Sequence, residues 1–182
     1  MYGFSHIPFV FGQPFISEAL GNAGQSADAP LVSGVVAALM MAVSLLTSLV
    51  APRLRKEIGL GLLLLLAFGM QVGLAAVLSF SGSIHAISFL LLRMVPDALS
   101  TPFIIAHVQP LLGDDSRATF LSMKSLVGRL AFAGSLAIAA VSTTAVGEMS
   151  RAELQSVLAA YAIGGTLCLI FLALTLRKAG LR

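Results

Sequence analysis

The stretch IGLGLLLLLAFGMQVGLAAVLSFSGSIHAISFLLL, residues 58–92, contains no Lys, Arg, Asp or Glu. RMVPDALSTPFIIAH, residues 93–107, follows at once and sets Arg93 and Asp97 one helical turn apart inside another apolar run. A helix needs about 20 predominantly apolar residues to cross a bilayer, and the first stretch is longer than that. The pair that interrupts it is the opposite signal. A charge at mid-bilayer costs roughly 2.5 kcal/mol or more, so it persists where it has a use or a partner.

Composition agrees with membrane insertion. The chain is 58% hydrophobic and 10% charged, with a mean hydropathy of +0.98. Soluble domains carry about 25% charged residues. The net charge of +3 does not point to nucleic acid, because the basic residues lie at span ends and report topology. Cys168 is the single cysteine, in an apolar run, which excludes an intrachain disulfide and a thiolate cluster. The N-terminus lacks the basic lead of a signal peptide, and Gln13 and Glu18 interrupt its apolar run.

Working outward, the pattern predicts an all-α polytopic membrane protein. It forms a single bundle of six spans, at about residues 2–20, 31–51, 58–80, 84–112, 119–146 and 154–176. Short polar connections fall at 21–30, 52–57, 81–83, 113–118 and 147–153. Arg53, Arg55, Lys56, Arg117, Arg177, Lys178 and Arg182 fall on one side and Arg151 on the other. The positive-inside rule then makes both termini cytoplasmic in a multi-pass protein of the cell (inner) membrane. The third and sixth spans are apolar nearly all round, the pattern of peripheral, lipid-facing helices. Gly69-x-x-x-Gly73 and the ladder Ala131, Ser135, Ala139 and Thr143 are candidate close-packing faces.

The fourth span carries the chemistry. Helical spacing aligns Arg93, Asp97, Ser100, Ile104 and His107, and Pro96, Pro102 and Pro110 interrupt the same helix. Arg93 lies about nine residues in, roughly 13 Å at 1.5 Å per residue, close to the midplane. One reading makes Arg93 an anion or substrate contact and Asp97 its counter-ion or a proton carrier. The other makes them a structural ion pair. In the first span His6, Gln13 and Glu18 stand among Tyr2, Phe4, Phe9, Phe11 and Phe15, a composition that suits a cavity wall. Asp114, Asp115, Arg117, Lys124 and Arg129 cluster at the cytoplasmic junction of spans four and five, as solvated charge or as a gate latch. No zinc helix, nucleophile elbow or P-loop is present, and the histidines have no ligand spacing. The expectation is a non-enzyme with no metal and no cofactor.

The run from Arg93 through Pro102, followed by LGDDSRATFLSMKSLVGRL at 112–130, resembles spans ten and eleven of major facilitator superfamily transporters. GQPFISEAL at 12–20 is similar to the outer end of their seventh span, and APRLRKEIG at 51–59 to their basic turn between the eighth and ninth. Here Ala51-Pro52 stands where that turn often has an Asp. The resemblance is to the C-terminal six-helix half and implies a fragment of a twelve-span protein. The missing N-terminal half, or a second copy, would face this one across a cavity. It further implies secondary active transport of a small molecule, efflux included, by an ion- or proton-coupled symporter or antiporter working through alternating access. Arg93, Asp97, His6, Gln13, Ser100 and His107 would then serve substrate or coupling. Asp114, Asp115, Arg117, Lys124 and Arg129 would form the cytoplasmic gate. The alternative class is a six-span association or scaffold protein that transports nothing alone.

Overall fold

The computed structural model describes residues 4, 7–22, 24, 29–81, 84–141 and 150–179. The described chain is built of helices: α1 (Ile7–Asn22), α2 (Ala29–Phe80), α3 (Ile87–Leu90), α4 (Val95–Val108), α5 (Asp114–Val141) and α6 (Arg151–Ala179). Short 3-10 turns precede α3 at Ile84–Ala86 and follow α4 at Gln109–Leu111.

The all-helical expectation fits, but the six-span bundle does not. The described chain has five helices of substantial length, and one of them, α2, runs for 52 residues where two separate spans were expected. Three segments among the described residues are long and apolar enough to cross a membrane: Pro30–Phe80, Ile87–Leu111 and Arg151–Leu176. Helix α1 covers 16 described residues; residues 2, 3, 5 and 6 of the span expected at 2–20 lie outside the described residues. Helix α5 opens with Asp114, Asp115 and Arg117 and carries Lys124 and Arg129 farther along, which lowers the apolarity of its first half.

The difference in α2 has a local cause. The expected turn at 52–57 is helical, because Arg53, Leu54, Arg55, Lys56 and Glu57 are all good helix formers and Pro52 alone does not end the run. The break comes instead at Gly59, with φ 78° and ψ 166°. Only glycine adopts that combination at low cost. Two core clusters span the break. Val36 shares one with Leu74 and Leu78, and Ala51 shares the other with Leu63 and Ala67. In a straight helix Val36 and Leu78 would lie about 63 Å apart at 1.5 Å per residue. The arm 60–80 therefore runs back alongside 29–58.

That returning arm is the centre of the molecule, which corrects its reading as a peripheral helix. Leu63, Ala67, Phe68, Val72, Leu74, Ala75 and Leu78 are all buried, whereas Leu31, Val35, Leu39, Leu45, Leu46 and Leu49 on the first arm are exposed. Small residues do not separate these arms, since Ala37, Ala38 and Ala42 lie on the first as Ala67, Ala75 and Ala76 lie on the second; tertiary contact does. On the second arm Ala67 and Ala75 are buried, but a Cβ at Gly73 would meet nothing within 4 Å and one at Gly69 only Leu169 Cδ2 at 3.8 Å, so the Gly69-x-x-x-Gly73 pair is not a close-packing face among the described residues. Helix α6 is one-sided, with Leu154, Val157, Leu158 and Ala162 buried and Ile163, Leu167, Ile170, Phe171 and Leu174 exposed. A Cβ on Gly165 would lie 2.7 Å from Phe4 Cε1 and from Val72 Cγ2, so this glycine sets how closely α6 approaches the arm. Phe4 packs edge-on against Phe68 and Tyr161, with ring centroids 5.5 Å and 6.2 Å away.

Helix α6 begins with a reciprocal cap. Glu153 N–H donates to Ser150 Oγ at 3.4 Å, while Ser150 N–H donates to Glu153 Oε2 at 3.0 Å. Helix α5 packs on the first core cluster through Leu136 and exposes Met123, Leu126, Val127 and Leu130. In the small-residue ladder Ala131 is exposed; the side chains of Ser135 and Ala139, and all of Thr143, lie outside the described residues.

A candidate polar site between two apolar segments

Proline chemistry shapes the start of the site. Pro96 has no N–H to offer the carbonyl of Leu92. Val95 N–H reaches Leu92 O instead at 3.1 Å, and Arg93 N–H reaches Leu90 O at 3.0 Å. These i to i−3 bonds tighten the backbone between α3 and α4. Arg93 thus stands in a turn just before α4 rather than on its regular face, and it is half-buried. Asp97 lies in the first turn of α4, also half-buried, where the positive helix end favours a carboxylate. The opposite charges of Asp97 and Arg93 interact.

The returning arm of α2 supplies the third member. Gln71 is 3% exposed, and its Nε2 donates to Asp97 Oδ1 at 3.4 Å. The bond is long but charge-assisted. The other end of the same amide, Oε1, is buried and meets no donor among the described residues. A buried acceptor left in that condition costs about 1–3 kcal/mol. The amide therefore holds a carboxylate with its donor end and presents an unused acceptor at the other. Sequence reasoning missed Gln71 because one amide in a long apolar run resembles a tolerated polar residue. The signal available was its position: Leu63, Ala67, Gln71, Leu74 and Leu78 form one stripe at helical spacing, and the neighbours of Gln71 on it are the buried ones.

The rest of the expected constellation is dispersed. Ser100 is buried, but its hydroxyl donates to Pro96 O at 2.7 Å, a bond within its own helix. His107 is exposed near the far end of α4. His6 lies outside the described residues; Gln13 sits on α1, and its side chain lies outside them too. Asp115, Arg117 and Arg129 are exposed on α5 and Lys124 is half-buried; the side chain of Asp114 is outside the described set. A second feature that the sequence did not disclose joins the break in α2 to α4. The Arg55 guanidinium lies over the Phe103 ring, 5.1 Å from its centroid.

Gln71, Asp97 and Arg93 come from Pro30–Phe80 and Ile87–Leu111, two of the three segments apolar enough to cross a membrane. Such a group can neutralise charge internally, hold a small polar molecule, or exchange a proton. No known protein family, curated protein or solved structure matches the chain.

Proposed function

We propose that this chain is the substrate-binding bundle of a secondary active transporter for a small polar molecule, driven by an ion or proton gradient. The observation that carries the reading is the Gln71–Asp97 hydrogen bond beside Arg93, formed within segments that otherwise suit lipid. Ionisable residues in such segments are expensive, and their usual use is a substrate or ion pathway. The motif order that resembles the C-terminal half of major facilitator superfamily transporters supports the same class. On this reading a second copy of the chain supplies the second wall. Rocking between the two alternately opens the site to each side. The basic ends at Arg53–Lys56 and Arg117 face the cytoplasm.

The test is flux. The purified chain is reconstituted in proteoliposomes under a proton gradient and screened against a panel of amino acids, organic anions and cationic drugs. At least one compound is expected to be taken up. Arg93→Ala and Asp97→Asn are expected to lower that uptake at least tenfold with membrane abundance unchanged. Absence of uptake across the panel, or variants that transport normally, would contradict the proposal. The exposed apolar face of α5 (Met123, Leu126, Val127 and Leu130) favours a second reading, a bundle that acts by association. Panel-wide inactivity together with stable self-assembly would support that reading.

A further inference from the structure

We infer that Gln71 determines specificity at this site, selecting a small zwitterion whose cationic end carries an N–H over one whose cationic end is fully alkylated. The inference rests on the transport reading above and adds the chemical class of the substrate. Gln71 is almost wholly buried, and its two ends are in different states. The Nε2 end is committed to Asp97 Oδ1, which fixes the plane of the amide. The Oε1 end is an acceptor with no donor among the described residues. Buried polar atoms nearly always have a partner, so a bound molecule with a donor would complete this oxygen.

Asp97 and Arg93 set the charge of that molecule. Asp97 attracts a cationic group towards Gln71 Oε1, and the Arg93 guanidinium, which already interacts with Asp97, attracts an anionic one. An ammonium with an N–H adds to the interaction that Arg93 already makes with Asp97 and also donates to Oε1. A trimethylammonium of equal charge satisfies only the charge and leaves Oε1 unpaired. Sites built around a buried hydrogen-bonding group reject analogues that lack the matching donor far more strongly than they reject a change in size.

The probes are L-alanine and its N,N,N-trimethyl derivative, equal in net charge and in the position of the carboxylate. Binding of each to the full chain in lipid nanodiscs is measured by calorimetry, and uptake of each by flux in proteoliposomes. The native chain is expected to bind L-alanine at least about tenfold more tightly than the trimethyl compound. Gln71→Met keeps the side chain's length and removes the acceptor; it is expected to abolish the preference. Its thermal unfolding, measured alongside, shows that the variant is folded. Gln71→Glu keeps an acceptor and is expected to keep the preference. Equal binding of the two probes to the native chain would overturn the inference and leave the transport reading intact. A preference that survives in folded Gln71→Met would overturn it in the same way. Binding of neither probe would also overturn it, and transport would then be decided by the wider panel.

Discussion

Two neighbouring glycines on α6 should respond oppositely to the same substitution. Gly→Ala in a helix gains about 0.5–1 kcal/mol from backbone entropy alone, so propensity makes Gly164→Ala and Gly165→Ala equal. Packing separates them. A Cβ at Gly164 meets nothing within 4 Å. A Cβ at Gly165 falls 2.7 Å from Phe4 Cε1, 2.7 Å from Val72 Cγ2 and 2.8 Å from Phe4 Cζ. Carbon atoms prefer about 3.5–4.0 Å, so each contact is too close by roughly 1 Å. Neither neighbour yields easily. Val72 is β-branched and buried, and the Phe4 ring is packed against Phe68 and Tyr161. Overpacking of this kind costs about 1–3 kcal/mol. Gly165→Ala should therefore lose about 1 kcal/mol net, while Gly164→Ala gains nearly as much. At about 2–4 °C per kcal/mol for a chain of this size, the two midpoints should differ by about 4–8 °C. Thermal unfolding in detergent micelles, followed by circular dichroism, reads the difference. Equal shifts in the same direction would refute the packing of α6 against Phe4 and Val72.

Other sites give independent checks. Gly59→Ala forces a side chain into backbone that only glycine tolerates, and should cost about 1–3 kcal/mol by the same unfolding assay; an unchanged midpoint would mean that the reversal lies elsewhere. Ser150→Ala removes the reciprocal cap of α6 and should cost about 1 kcal/mol, with faster amide hydrogen exchange confined to the first turn. Exchange that rises along the whole helix would argue against a cap. Arg55→Leu and Phe103→Leu should each destabilise by about 0.5–1 kcal/mol and should not add when combined, because they remove one shared contact.

Residues with strong local signals were legible in the sequence. Arg93 and Asp97 stand out because charge is rare in a long apolar run, and both lie at the polar site. The Ser150–Glu153 cap has the S-x-x-E spacing of a helix start, a signal passed over in reading 147–153 as a connection. What the sequence hid depends on tertiary contact. Pro52 looks like the end of a helix, yet the residues after it propagate helix, and the reversal waits for Gly59. The apolar part of the first arm, 29–51, and the second arm, 60–80, read alike, so pattern alone assigned the second to the lipid side. Which arm is buried is decided by contacts distant in sequence, such as Leu63 and Ala67 clustering with Val95 and Leu99. Gln71 follows from that error: a glutamine on a lipid-facing helix means little, whereas on a buried arm it must find partners. Ser100 fell on the polar stripe by spacing, but its hydroxyl is satisfied by Pro96 O within the same helix.

A polar contact crosses from the returning arm of α2 to α4 between two largely apolar segments. A double-mutant cycle over Gln71→Leu and Asp97→Leu, read as unfolding free energy in a sodium dodecyl sulfate titration, measures that contact. A coupling of about 1–2 kcal/mol is expected, the double variant losing less than the sum of the single ones. Additivity to within about 0.5 kcal/mol would contradict it.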